Sequence, residues 1–223
     1  MLKKGIVSAL IVLALASASW AQPAKVEIAG LFGYTFADGV SAADPILGAN
    51  GQVYDRADPK DSALFGLGIG FFVTPATEVG FLWRRQATAL EVSGTTTTEL
   101  GDINIDGYHG YIAYYFGDPE GKTHPYILFG MGATNYGGVT YAKTGGGTAT
   151  TEGGTKFSST FGAGVKVNAG RNFAVKFGFQ WTPTYIKSDA EGWWCDPWWG
   201  CWVVGDAQYS NQVELNGGIV IRF

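Results

Sequence analysis

Two histidines and two cysteines in 223 residues leave the chain poor in the side chains that hold metals or carry redox chemistry. His109 and His124 are scattered, and Cys195 and Cys201 stand far from both, so there is no ligand spacing and no metal is expected. Charge is scarce as well: 15 % of the residues are Asp, Glu, Lys or Arg, with a net charge of −4. Beyond the N-terminus no apolar run approaches the roughly 20 residues of a spanning helix, so any membrane residence there must be by strands. Gly66-Leu67-Gly68 and Gly130-Met131-Gly132 lack the strand-turn-helix setting of a dinucleotide loop and read as wall glycines. No catalytic residue and no cofactor is indicated.

What is abundant is glycine, 34 residues, and aromatic side chains, 15 % of the chain. Both suit many strands, tight turns and a close-packed wall. Met1 to Ala21 has a basic start (Lys3, Lys4), an apolar run from Ile6 to Ala16, and the small-x-small triplet Ser19-Trp20-Ala21. These are the parts of a signal peptide cleaved after Ala21, leaving 22–223 as one domain. Without Lys3 and Lys4 the count is 13 basic against 19 acidic residues, a net −6, which argues against a nucleic-acid partner.

The last stretch, Ala207 to Phe223, carries the strongest pattern. Val213, Leu215, Ile219, Ile221 and Phe223 fall on one face of a strand, and Gln212, Glu214, Asn216 and Arg222 on the other. The same two-faced pattern recurs over Lys25 to Ala37, Ser62 to Thr74, Thr77 to Leu90, Lys156 to Asn168 and Asn172 to Ile186. Pro125 to Tyr136 is a further strand, too rich in glycine and apolar residues to phase. From Ile103 to Phe116 the parity slips, because Ile103 and Ile105 are odd whereas Tyr108, Ile112, Tyr114 and Phe116 are even; a bulge near Gly107 would reconcile them. That makes eight strands. Three connections are short (around Pro75, Gly117 to His124, and Ala169-Gly170), and four are long (Asp38 to Asp61, Glu91 to Asp102, Gly137 to Thr155 and Ser188 to Asp206). The expectation is an all-β, eight-stranded, antiparallel up-and-down transmembrane β-barrel, with long loops outside the cell and both termini in the periplasm.

Across Lys25 to Phe223 the chain resembles the small bacterial outer-membrane β-barrels of the OmpA, OmpX and OmpW type, chiefly in its closing strand and terminal aromatic Phe223. The resemblance implies that Phe223 is part of the signal read by the barrel-assembly machinery, and that outer-membrane lipids and lipopolysaccharide surround the wall. It leaves three functions open: a structural or surface-interaction barrel with a filled lumen, an OmpW-like conduit or binder for small hydrophobic molecules, and a lipid A-modifying enzyme. The last fits least, because His109-Gly110-Tyr111 lacks the His-x-Ser pair of the lipid A deacylases. His124, in a turn beside Pro125, reads as a solvated residue.

Strand phases also set the interior and the wall. Glu27, Glu78, Arg84, Lys166, Lys176, Glu214 and Arg222 should point inward and pair. Glu27, Glu78, Lys166 and Arg222 are expected toward the periplasmic end, with Arg84, Lys176 and Glu214 nearer mid-barrel. Phe32, Phe65, Phe81, Phe161, Phe177 and Leu215 should face lipid, and Thr160 the lumen. One loop has a character of its own: Glu191 to Val203 places Cys195 and Cys201 around an Asp196-Pro197 turn, where export permits a disulfide. It carries Trp193, Trp194, Trp198, Trp199 and Trp202. These rings are either an aromatic girdle at the membrane interface or a rigid platform for a glycan, lipid or protein partner.

Overall fold

The computed structural model describes residues 26–47, 52–119, 121–142, 147–186, 195–196, 200–201 and 208–223. The expected signal peptide, residues 1–21, lies outside them, as do Trp193, Trp194, Trp198, Trp199 and Trp202. Among the described residues fourteen strands follow one another: β1 (Val26–Asp38), β2 (Val40–Leu47), β3 (Val53–Pro59), β4 (Ser62–Thr74), β5 (Thr77–Gly94), β6 (Thr98–Tyr115), β7 (Thr123–Tyr136), β8 (Thr140–Ala142), β9 (Thr148–Thr150), β10 (Gly154–Asn168), β11 (Phe173–Ile186), β12 (Cys195–Asp196), β13 (Gly200–Cys201) and β14 (Gln208–Arg222).

Eight of them close on themselves in the order β1, β4, β5, β6, β7, β10, β11, β14, each antiparallel to the next, and β14 pairs back onto β1. Following paired residues once around, from Phe72 and Glu78 to Thr35 and Ser62, returns to β4 ten residues from the start. For eight strands about 4.7 Å apart, that stagger gives a tilt of about 40° and a backbone radius of about 8 Å. Such a cylinder has room for its own inward side chains.

The outer face carries the alternate residues: Phe32, Phe65, Phe81, Phe161, Phe177 and Leu215 are all exposed, while Thr160 is fully buried inside. β7, which sequence left unphased, turns Ile127, Phe129 and Met131 outward and Tyr126, Leu128 and Tyr136 inward. Phe116, Phe173 and Phe223 bound the apolar belt at the end with the short turns; Trp83, Tyr108 and Trp181 bound it at the end with the long loops. Eight residues separate the two rings along β6, from Tyr108 to Phe116, and along β11, from Phe173 to Trp181, and at about 2.5 Å of axial rise per tilted residue the rings stand about 20 Å apart.

Two expectations are corrected above the belt. The stretch Glu91 to Asp102 is not a long loop, because β5 and β6 run on as a paired hairpin to a turn at residues 95–97. No bulge occurs at Gly107 either, since the β6–β7 pairing is unbroken from Ile105 to Tyr115. Ile103 and Ile105 simply face inward. Within the belt the solvent of the outer face is lipid, so apolar residues point out. Beyond it that face meets water, and the same continuous strand must turn its apolar residues in. β3 pairs with the extension of β5, β2 pairs with β3, and together they wall one side of the loop end. β8 and β9 form a separate small hairpin, as do β12 and β13.

Candidate functional site

Every one of the seven charges assigned to the interior is there, and each pairs with another of the seven. They lie at two depths. At the turn end Glu27, 2 % exposed, accepts from Lys166 Nζ at 3.0 Å and from Arg222 Nε at 2.9 Å. Arg222 Nη2 reaches Asn168 Oδ1 at 3.0 Å, and Asn168 Nδ2 donates to the Gly121 carbonyl and meets His124 Nε2 at 2.9 Å. His124 is therefore buried and bonded at the start of β7, not solvated in a turn. With Asn168 Nδ2 as the donor, its Nε2 is the acceptor.

Beside this cluster Glu78 accepts hydrogen bonds from the Tyr111 and Tyr115 hydroxyls and from Lys176 Nζ at 3.2 Å. Lys176 thus belongs to the turn-end layer and not to mid-barrel. The stagger between strands explains it: Lys176 lies directly across from Lys166, on the level of Glu78. Lys166 Nζ also stands 4.1 Å from the centre of the Tyr115 ring. Glycines make this packing possible, since a Cβ on Gly70 would fall 2.0 Å from Glu78 Oε1 and one on Gly178 would fall 2.6 Å from the Tyr126 hydroxyl. Above them a cavity of about 30 Å³ remains, with Leu31, Leu82, Lys176 and Asn216 in its lining. That is space for a water or two.

Mid-barrel is organised by Arg84, which donates to Glu214, to Gln180 Oε1 at 3.1 Å and to Thr182 Oγ1 at 3.0 Å. His109, fully buried, stands between Arg84 and Ser158: its Nε2 is 2.8 Å from Ser158 Oγ and its Nδ1 is 3.5 Å from Arg84 Nη2. This pair was not legible in the sequence, because the two residues are on β6 and β10 and meet only over Gly132 of the intervening β7, their shared register partner. The pair is wrongly poled for a hydrolase. A serine is activated by an imidazole whose Nε2 is free to take its proton and whose Nδ1–H is held by a carboxylate. Here a guanidinium faces Nδ1, so Nδ1 is the acceptor and Nε2–H donates to Ser158. Ser158 in turn accepts from Thr134, which accepts from Thr184, completing a chain of small polar groups.

Above that chain the interior becomes apolar. Val40, Tyr54, Ala57, Leu90, Val92, Ile103, Ile105, Tyr136, Val139 and Ile186 form one buried cluster drawn from β2, β3, β5, β6, β7 and β11, with Val139 from the connection after β7. Nothing in the alternation of single strands singled it out, since half its members come from segments expected to be loops.

The loop end has its own electrostatics. Lys60 clips the first long connection to the β5–β6 hairpin through Glu91 and Glu99, both at 3.1 Å, and the hydrogen bond to Glu91 leads in raising its pKa. Arg56 holds Asp58 and Asp38, and the bond to Asp58 leads in raising its pKa. On the outer face Arg85 grips Asp106 with two bonds of 2.8 Å, and Asp106 also accepts from Trp83 Nε1. In the Trp-rich connection the backbone pairs Cys195 directly with Cys201.

No protein-family model and no curated protein sequence matches this chain. Solved structures do resemble it. The outer membrane protein OprG of Pseudomonas aeruginosa is similar over 91 % of this chain and 97 % of its own, at 13 % identity and a TM-score of 0.58. Neisserial surface protein A is similar over 91 % and 100 %, at 13 % identity and a TM-score of 0.51. At such identity the likeness is one of fold: that of the eight-stranded outer-membrane β-barrels.

Proposed function

We propose that this protein is an integral outer-membrane barrel, closed along its lumen, that acts as a structural or surface-interaction element through its outer loops and not as an enzyme. The observation that carries the reading is the double closure of the interior, by ion pairs at the turn end and by packed apolar side chains at the loop end. In this reading the interior, filled by the described side chains, leaves no path, and the poling of His109 and Ser158 argues against a nucleophilic serine at that pair. The loop end then holds what is free to meet a partner.

In this reading residues 1–21 direct export and are removed, the turn end and both termini lie in the periplasm, and Phe223 is read during assembly. Lipopolysaccharide surrounds the loop end. A Cys195–Cys201 disulfide, supported by the direct pairing of the two positions, fixes the loop that carries Trp193, Trp194, Trp198, Trp199 and Trp202 as a recognition platform. Orientation is tested by protease on intact cells, which should cut the loop end alone. Replacing Trp198 and Trp199 with Ala should abolish binding to cells, glycans or lipopolysaccharide and leave heat-modifiable migration intact. Unchanged binding with a weakened barrel would assign the rings to the membrane interface instead. The apolar lining at the loop end favours a second reading, a binder of small hydrophobic molecules; saturable uptake of such a molecule into the purified barrel would establish it.

A further inference from the structure

Beyond the aromatic ring that ends the apolar belt, the outer rim divides into two halves of four neighbouring strands. On β4, β5, β6 and β7 the outward residues at this level are small, polar or charged: Asp61, Arg85 bound to Asp106, Asn104 and Asn135. On β10, β11, β14 and β1 they include the aromatics Phe157, Tyr185, Tyr209 and Phe36, beside the polar Thr155, Asn211 and Asp38. Tyr185 and Tyr209 are direct cross-strand partners with ring centroids 5.6 Å apart, and Tyr209 is 57 % exposed. Phe157, four residues beyond Phe161, is 52 % exposed. Asn211 binds the two levels together, accepting from Trp181 Nε1 at 3.1 Å and donating to the Tyr209 carbonyl at 3.2 Å.

Height distinguishes these rings from an interface girdle. Tyr185 lies four residues past Trp181 on β11, which at 40° of tilt is about 10 Å further along the axis. Trp181, Trp83 and Tyr108 already occupy the edge of the hydrocarbon, where interfacial aromatics belong. Rings about 10 Å beyond it stand among headgroups, and folding does not require half-exposed aromatics there. An apolar ring face with amide groups beside it fits the C–H face and hydroxyl edge of a sugar ring. In an outer leaflet of lipopolysaccharide, the groups at that height are the sugars of the core.

We infer that the β10–β11–β14–β1 half of the rim is a carbohydrate-stacking strip that seats the core sugars of lipopolysaccharide against Tyr185, Tyr209 and Phe157. This rests on the loop end facing outward and is independent of the role of the Trp-rich loop. The test uses the full mature chain in nanodiscs that contain either core-bearing lipopolysaccharide or lipid A without core sugars. Core-bearing lipid should be retained about fivefold better than lipid A, and nuclear Overhauser contacts should join its sugar protons to the Tyr185 and Tyr209 rings. The variant Tyr185→Thr/Tyr209→Thr, altered only at outward positions, should lose that preference, whereas Trp198→Ala/Trp199→Ala should keep it. Equal retention of the two lipids by the wild-type chain would overturn the inference. So would relaxation of the two tyrosine signals by a nitroxide on the lipid acyl chain, which would put the rings in hydrocarbon and mean that the barrel is tilted.

Discussion

At Glu27 and Glu78 the lumen is occupied by charges that share hydrogens across the barrel, while near Leu90 and Ile105 it is occupied by aliphatic and aromatic side chains packed as in a soluble core. The two regions lie on the same strands and obey opposite rules. Inside the bilayer a strand has lipid on its outer face, so polar residues gather in the lumen and must satisfy one another. Past the bilayer water takes the outer face, and the interior becomes the apolar side. The strand need not break for this to happen; β6 passes from Tyr115 to Ile103 with its alternation intact. What changes is the meaning of an apolar residue, which marks the outside near Ile112 and the inside near Ile105.

Substitutions at the charged end should have the largest effect. Glu27→Ala leaves Lys166 and Arg222 without their carboxylate and should destabilise the barrel by about 3 to 5 kcal/mol in urea titrations in vesicles, whereas replacing both Glu27 and Lys166 by aliphatic residues should restore much of it. At the apolar end Ile105→Ala should cost about 2 to 5 kcal/mol, and its outward neighbour Asn104→Ala about 0.5 kcal/mol or less. Equal costs at 104 and 105 would show that the polarity does not invert. On the wall Phe177→Arg should cost about 2 to 4 kcal/mol, with smaller penalties for the same change at positions nearer the belt edges. Thr160, facing the lumen, should show no such dependence on depth. If the proposed Cys195–Cys201 bridge is formed, non-reducing peptide mapping should find it, and its reduction should cost about 2 kcal/mol and act on the loop alone, as loop-specific hydrogen exchange would register.

These contrasts also explain what could be read from the sequence. Barrel architecture and interior charges were legible because Glu27, Glu78, Arg84, Lys166, Lys176, Glu214 and Arg222 sit on strands whose outward partners are unmistakably apolar, so parity alone turns them inward. Depth was less legible: Lys176 was expected beside Glu214, and the ten-residue stagger that carries it to Glu78 is a property of closure, invisible in one strand. His109 and Ser158 are separated by 49 residues and acquire their contact only from the circular order of β6, β7 and β10. The apolar cluster at the loop end escaped notice because it is built from hairpin extensions that look like loops when each strand is credited only with the length of the bilayer. His124 was mistaken for a turn residue because its partner, Asn168, comes from the neighbouring strand β10, distant in sequence.

Whether the lumen is sealed at both ends, as proposed, is decided by single-channel recording in planar bilayers. Purified wild-type barrel should insert and give no stable conductance steps, while a doubly opened variant, Glu27→Ala with Ile105→Ala, should flicker between closed and weakly conducting levels. Steady ohmic conductance from the wild-type protein would mean that neither the ion pairs nor the apolar cluster seals the interior, and would contradict the account.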